Sequence, residues 1–296
     1  MSHFTVMVIG ADVDDQLAPY HEFECTGEND QYVVDVDITD EVIADMAGAG
    51  GSGKQPLEYA LDYHGLSAVS DESELDTDGE HKYGYAIVQD ESLVKAVRRT
   101  NPNHKWDWYL IGGRWTGFFK LLPTATGVVG NPGAMTDPAK LGWADQCRKG
   151  DIDWTGMRQA AADKAADFYD QVVAIAPGKW ESWESVRSRF ITVESAREFY
   201  RLQPGRVALS KSANRDMLWA SDAVLVSREE YIQQARDHAC ITFAFVKDGK
   251  WIERGEMGWF GMSTDLVDQT DWVNQVNNML DQLPDDTLIT LVDCHT

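Results

Sequence analysis

Large aromatic side chains are concentrated in residues 105–120, KWDWYLIGGRWTGFFK. Positions 106, 108 and 110 alternate with positions 107, 109 and 111, which is the two-residue spacing of a β-strand. The Gly112-Gly113 pair interrupts this run, and residues 115–122 form a second strand-like run. Paired glycines between two such runs predict a β-hairpin whose turn lies at or near Gly112-Gly113.

Several other stretches have the pattern of β-strands. Asp248-Gly249 separates two β-rich runs, residues 239–246 and 250–253, and this dipeptide is a strong hairpin signal. Shorter strand-like runs occupy residues 3–9, 31–39, 83–88 and 287–292.

Helical spacing of apolar residues occurs mainly in the second half of the chain. Residues 151–203 repeat it, with a break at Pro177-Gly178, and Ser227 begins a capping box that predicts a helix to about residue 238. Residues 90–99 start with acids and end with arginines, which favours a helix. Residues 264–283 predict an amphipathic helix with these side chains pointing inward: Leu266, Trp272, Val273, Val276 and Leu280.

This mixture predicts an α+β fold, with a mixed or antiparallel sheet built from hairpins and a helical middle segment. We divide the chain into an α+β region with the aromatic hairpin (1–150), a helical insertion or subdomain (151–237) and a hairpin–helix–strand segment (238–296). The last segment is expected to complete the first domain.

The chain has 296 residues, of which 43% are hydrophobic and 25% are charged, as in ordinary globular proteins. No apolar stretch has the length of a membrane span, and the first residues do not resemble a signal peptide. We therefore expect a soluble, intracellular protein that does not bind membranes. Four scattered cysteines argue against a disulfide framework or a zinc finger.

The net charge of −23 is distributed unevenly. Residues 1–81 contain 20 acids and one lysine, residues 82–261 contain 22 acids and 25 basic residues, and residues 262–296 contain seven acids and no basic residue. Such segments repel nucleic acid and attract basic surfaces, although they can also serve only solubility. The candidate partner-binding acids are Asp35, Asp37, Asp71, Glu72, Glu74, Asp76 and Asp78.

The aromatic stretch contains candidate ligand-binding residues. Tryptophan rings stack on bases, and a guanidinium pairs with phosphate. Trp106, Trp108, Arg114 and Trp115 could therefore form a nucleotide pocket, with a hydrophobic core as the alternative interpretation.

Side chains of the types that zinc takes occur in the HEFEC run at 21–25, in the terminal DCH run at 293–295 and at His3. Among them, His3, Cys294 and His295 are weak candidates for a metal site or for Cys–His nucleophilic catalysis. His3 and His295 can meet only if the first and last strands are antiparallel neighbours. The spacing matches no known zinc pattern, so we assign no metal, no cofactor and no catalytic residue.

Five segments together resemble a group of hypothetical proteins encoded by tailed phages and prophages. They are SHFTVMVIG, LAPYHEFECTG, KWDWYLIGGRWTGFF, ADQCRKGDID and the final VDCHT. The resemblance covers the N-terminal half and the last strand, and it brings no catalytic residues.

The resemblance implies a phage accessory protein that acts in the host cytoplasm. With the acidic charge, it leads us to expect a DNA-mimicking inhibitor of a host protein with a basic surface, such as an anti-phage defence nuclease or another nucleic-acid-binding complex. Direct nucleic-acid binding is not expected, and the chain could form a homo-oligomer. The alternative is a nucleotide-binding or nucleotide-sequestering protein, or a metal or Cys–His enzyme, that uses the aromatic hairpin.

Overall fold

The computed structural model describes residues 2–22, 30–50, 53–134, 136–176, 178, 180–212, 225–257 and 263–296. Helices and mixed or antiparallel sheets both occur, so the predicted α+β class is confirmed. The strands are β1 (His3–Ile9), β2 (Val34–Asp37), β3 (Ser67–Val69), β4 (Gly84–Gln89), β5 (Ser92–Thr100), β6 (Trp108–Gly113), β7 (Phe119–Lys120), β8 (Asn131–Pro132), β9 (Trp143–Ala144), β10 (Gln146–Arg148), β11 (Ala244–Lys247), β12 (Lys250–Glu253), β13 (Gly255–Met257), β14 (Ser263–Asp265) and β15 (Leu288–His295).

The helices are distributed along the whole chain, and the longest follows the last short strand of the first half. They are α1 (Val13–Leu17), α2 (Thr39–Asp45), α3 (Pro56–His64), α4 (Trp154–Ile175), α5 (Trp183–Arg189), α6 (Val193–Leu202), α7 (Pro204–Ser210), α8 (Arg228–His238) and α9 (Gln269–Gln282). None of the helices in the described ranges combines the length and the apolar character that a membrane crossing requires.

The main sheet joins strands from both ends of the chain, in the order β12-β11-β1-β15-β6-β8. The pairs β1–β11 and β6–β8 are parallel, whereas β1–β15, β15–β6 and β11–β12 are antiparallel. Strand β10 also pairs with β15. Strand β15 is the most connected strand, and all its residues except Leu288 are buried.

Alternation along the two central strands forms one hydrophobic core on each face of the main sheet. Met7 and Leu291 point into the first core, which α9 and the start of α4 cover. Phe4 and Val292 point into the second core, where Leu17 of α1 packs.

Helix α9 confirms most of the predicted amphipathic pattern. Trp272, Val273, Val276 and Leu280 are buried. The indole N–H of Trp272 donates to the Thr242 carbonyl oxygen at 3.0 Å. The prediction for Leu266 was wrong: it precedes the helix and its side chain is 66% exposed.

Residues 30–100, which we call the acidic module, form a second sheet with the order β2-β5-β4-β3, packed against α2 and α3. The helix predicted for residues 90–99 was wrong, because β5 occupies this stretch. Asp90 and Glu91 have φ angles of 48° and 62° and form the turn from β4 to β5. The two acids therefore serve the turn and not a helix start. The short strand β3 adds a fourth strand at the edge of this sheet beside β4.

The two predicted hairpins had different outcomes. The hairpin at Asp248-Gly249 is confirmed, since β11 and β12 pair around this dipeptide. The hairpin at Gly112-Gly113 was wrong, because both glycines lie within β6, which pairs with β15 and β8. The following strand β7 pairs with β9.

The middle of the chain is helical, as predicted. Near the start of helix α4, Met157 packs in the first core of the main sheet. Near its end, Val172 packs in a separate hydrophobic cluster with Trp180 and Leu209. The predicted cap of α8 is confirmed, since the Ser227 hydroxyl accepts a hydrogen bond from the Glu230 N–H at 3.1 Å.

We predict that Trp272→Ala lowers the free energy of unfolding by about 3–5 kcal/mol, because it leaves a cavity in the first core and an unpaired Thr242 carbonyl. Leu266→Ala, the matched change of an exposed side chain, should alter it by less than about 0.5 kcal/mol. Urea denaturation of both variants measures the difference. Equal effects would contradict this assignment of core and surface.

Candidate functional site

Three rings lie side by side at one end of the main sheet. His3 is opposite His295 in the β1–β15 pair, and His295 is opposite Trp108 in the β15–β6 pair. The His3 and His295 ring centroids are 4.9 Å apart, at an interplanar angle of 76°. The Trp108 ring stacks on His295 at 4.8 Å and 16°. The antiparallel arrangement that His3 and His295 need in order to meet is therefore present.

A separate carboxylate holds each imidazole. His3 Nδ1 donates to Asp293 Oδ1 at 2.8 Å, and His295 Nδ1 donates to Asp107 Oδ1 and Oδ2 at 2.7 and 2.8 Å. Because an ionised carboxylate only accepts hydrogen bonds, each Nδ1 carries the proton, and Nε2 of a neutral ring keeps its lone pair. Neither Nε2 has a hydrogen-bond partner among the described residues.

Further hydrogen bonds fix the two carboxylates. Asp293 Oδ2 accepts from the Arg114 backbone N–H at 2.8 Å, and the Asp293 side chain is only 1% exposed. Asp107 Oδ1 accepts from the Trp108 N–H at 2.7 Å. The Asp107 carbonyl oxygen accepts from His21 Nε2 at 3.0 Å. Both imidazoles are thus oriented by acids that are themselves immobilised.

The lack of side chains at Gly112 and Gly113 lets the backbone of β6 lie close to two buried acids, Asp145 and Asp293. A Cβ on Gly113 would lie 2.3 Å from Asp293 Oδ2, and a Cβ on Gly112 would lie 2.6 Å from Asp145 Oδ2. Asp145 is fully buried and accepts hydrogen bonds from Thr116, Gly117, Phe118 and Gly130. The glycines therefore serve the packing around the carboxylates and not a hairpin turn.

The structure does not bring the four predicted ligand-binding residues together. Trp106 is buried in the second core, where its indole N–H donates to the Leu17 carbonyl oxygen. Trp115 packs against the first core. Trp108 is 40% exposed beside the two histidines, and the exposed Arg114 contributes its backbone N–H to Asp293.

Successive residues of a strand point to opposite faces of the sheet. Cys294 precedes His295 on β15 and therefore points to the face opposite to that of His3 and His295. It is buried in the second core beside Phe4, and burial raises the pKa of its thiol well above the usual value. The expected grouping of Cys294 with the two histidines is therefore absent. Within the described ranges, no group of three His, Cys, Asp or Glu side chains could hold a metal ion. Glu24 and Cys25 lie outside the described residues.

Asp107 was not predicted as a member of this cluster, and Asp293 was considered only as part of the terminal run 293–295. The available signal was their position: Asp293 is two residues before His295, and Asp107 is next to Trp108. On a strand, the two-residue spacing puts Asp293 on the same face as His295. The pairing partner of each acid depends on strand order and register.

The acidic module contains a groove of about 970 Å³ between α2, α3 and the β4–β5 turn. Ile43, Leu57 and Leu93 are among its apolar lining residues, and the exposed acids Glu58 and Glu91 also line it. Residues 30–100 contain 16 acids and five basic residues, a net charge of −11.

All seven predicted partner-binding acids are exposed in the module. Asp35 pairs with Arg99 at 3.3 Å, and Glu72 pairs with Lys95 at 3.4 Å. The hydrogen bond from the Thr39 hydroxyl lowers the pKa of Asp37, and the one from the Ser73 hydroxyl lowers the pKa of Asp71. Glu74 accepts hydrogen bonds from Ser70, whereas Asp76 and Asp78 lie on the same exposed segment.

The histidine pair and the groove belong to different sheets, so one can be altered without the other. No protein-family model, curated protein or solved structure matches this chain.

We predict that Gly113→Ala destabilises the protein more than Gly142→Ala. Both glycines have positive φ, at 52° and 81°, so both changes introduce backbone strain of about 1–2 kcal/mol. Only the Gly113 Cβ collides with Asp293, whereas a Cβ on Gly142 meets nothing within 4 Å. Thermal unfolding of the two variants compares them, and an equal loss would show that the Asp293 contact is unimportant.

We also predict that Cys147, Cys240 and Cys294 resist alkylation in the folded protein at pH 8. Burial raises the thiol pKa to about 12 for Cys147 and to about 11 for Cys240, so the reactive thiolate is scarce. Peptide mapping after iodoacetamide treatment measures this, with urea-unfolded protein as the control. Rapid alkylation of Cys294 in the folded state would contradict its buried position.

Proposed function

We propose that this protein binds a partner protein through the groove of the acidic module, and that it acts as an inhibitor of that partner. The observation that carries the proposal is an apolar groove bordered by acids within a segment of net charge −11. The partner segment that suits it is an amphipathic helix with apolar residues on one face and Lys or Arg beside them.

The charge of the module supports a basic partner. Four of its five basic residues already have acidic neighbours, in the pairs Lys54–Asp62, Arg98–Glu41 at 3.6 Å, Arg99–Asp35 and Lys95–Glu72. The module contains 16 acids and five basic residues, so most of its acids have no basic residue of the module to pair with. This excess attracts a basic surface over several ångströms and accelerates the encounter.

The apolar lining of the groove would contribute binding affinity in addition to that from charge. Ile43 is 50% exposed although it is aliphatic, and it lies beside partly buried Leu57 and Leu93. Burying such side chains against a partner contributes affinity that does not depend on salt. The groove therefore favours a partner with both apolar and basic side chains over a purely charged one.

The resemblance to phage and prophage proteins extends this proposal to the partner's identity. The partner would be a host protein in the host cytoplasm, and a defence nuclease or another nucleic-acid-binding complex would present the required basic surface. Covering that surface would block access of nucleic acid, which is the action of a DNA mimic. The protein itself would bind neither nucleic acid nor membranes directly.

We predict that Ile43→Lys weakens binding at least about tenfold, the effect of losing one interface contact of about 1.4 kcal/mol. Val94→Lys is the matched control, since Val94 is 53% exposed, lies outside the groove lining and receives the same charge. The first probe is a synthetic helical peptide of Leu and Lys, compared with its Leu and Glu counterpart, measured by calorimetry at two salt concentrations.

The expected order of affinity is wild type, then Val94→Lys, then Ile43→Lys, with no binding of the Leu and Glu peptide. A host protein captured from lysate should be purified and should follow the same order. Equal weakening by both lysines would reduce the interaction to charge and would contradict a role for the groove. Undiminished binding by Ile43→Lys would contradict it as well.

A further inference from the structure

We propose that His3 and His295 form a general acid–base pair that hydrolyses phosphodiester bonds in nucleotides, with Trp108 as the surface on which the base stacks. The pair lies in the main sheet and is independent of the groove, so this activity would be additional to partner binding.

The two rings are close enough to act on one ligand. Their centroids are 4.9 Å apart, and hydrolysis of a phosphodiester needs one group to remove a proton and another to supply one. The β1–β15 register fixes this separation through the backbone, because His3 and His295 are directly opposite each other. Two flexible surface histidines would lack this restraint.

Each ring has the orientation that such a pair requires. Nδ1 is bound to a carboxylate in both cases, so Nε2 is the atom that exchanges a proton. The two carboxylates are different side chains, Asp293 and Asp107, and each offsets the positive charge of its own imidazolium. The proposed mechanism uses one ring in the charged form and its neighbour in the neutral form.

Trp108 provides a binding surface next to the pair. One face of its indole covers His295, at 4.8 Å and nearly parallel, yet the side chain is 40% exposed. The exposed remainder is available to a planar base, and stacking of this kind accepts every base. The ligand class is thus a nucleotide and not a simple alkyl phosphate.

The proton positions also favour a phosphodiester over a neutral ester. An imidazolium attracts an anionic phosphodiester and then protonates its leaving oxygen, whereas a neutral carboxylic ester gains only the second effect. The carboxylates bonded to the pair are Asp293 on β15 and Asp107 before β6, and His21 bonds to the Asp107 carbonyl oxygen.

The reaction balances without a further reactant. The neutral imidazole takes a proton from water at Nε2 as the water oxygen forms a bond to phosphorus. The bond between phosphorus and the ester oxygen breaks, and that oxygen takes a proton from Nε2 of the imidazolium. The products are a phosphomonoester and an alcohol, and proton exchange with solvent restores the pair.

The test uses the full chain with nucleoside 2′,3′-cyclic phosphates and 3′,5′-cyclic phosphates of the four bases, followed by chromatography of the products. His3→Gln and His295→Gln are each expected to slow hydrolysis by about a hundredfold or more. The matched control is His64→Gln. His64 also has a buried side chain bonded to a carboxylate, since its Nε2 lies 2.9 Å from Asp45 and its side chain is 6% exposed. It lies in the acidic module and not beside the pair. This control should retain the wild-type rate.

The pH dependence separates catalysis from a structural role. Wild-type kcat/KM should follow a bell-shaped curve, and the residual activity of either Gln variant should lose one limb of it. Val94→Lys, which lies outside both sites, should leave hydrolysis unchanged. Hydrolysis and partner binding are measured in separate assays, so failure of the partner-binding proposal would not be confused with failure of this one.

Absence of hydrolysis by folded wild-type protein across the panel between pH 5 and 9 would overturn the proposal. So would full activity of the His3→Gln or His295→Gln variant, or an equal loss in His64→Gln. If both Gln variants fail to fold by circular dichroism, the wild-type rate and its pH profile decide the question alone.

Discussion

The antiparallel pairing of β1 with β15 is the contact on which the main sheet depends. It joins seven residue pairs, from His3 opposite His295 to Ile9 opposite Ile289. Without it, the strands β12, β11 and β1 would be separated from β15, β6 and β8, and neither hydrophobic core could close. The paired strands are separated by almost the whole sequence, so bringing them together has a large cost in chain entropy. Burial of apolar side chains on both faces of the sheet has to offset this cost.

This pairing also places a carboxylate inside the sheet. A buried charge is costly unless donors surround it, and Asp293 receives the His3 imidazole and the Arg114 N–H. Asp145 receives four donors in the neighbouring loop. The glycines at 112 and 113 are the condition for this arrangement, because side chains there would occupy the space of the two carboxylates.

Local signals in the sequence predicted local structure well. Asp248-Gly249 marked a hairpin, Ser227 marked a helix start, and the spacing around Trp272 marked a buried helix face. Each of these depends on residues near one another in the chain. The α+β class follows from the same elements.

Predictions that depended on distant contacts were less successful. The Gly-Gly pair resembles a turn, but its role is set by acids about 30 and 180 positions further along the chain, which the local pattern does not reveal. Asp90 and Glu91 resemble a helix start, but pairing of β5 with β2 and β4 makes the stretch a strand. The two histidines were candidates from the sequence, whereas their carboxylate partners required the register of three strands.

The antiparallel pairing of the first and last strands brings the two imidazoles together. Nuclear Overhauser spectra of protein labelled only at histidine and tryptophan test it directly, with His3→Gln used to assign the His3 signals. Cross-peaks between the ring protons of His3 and His295, and between His295 and Trp108, are the predicted result. A spectrum of the folded protein without these contacts, or with His295 adjacent to Ile9 as a parallel pairing would place it, would contradict the antiparallel pairing.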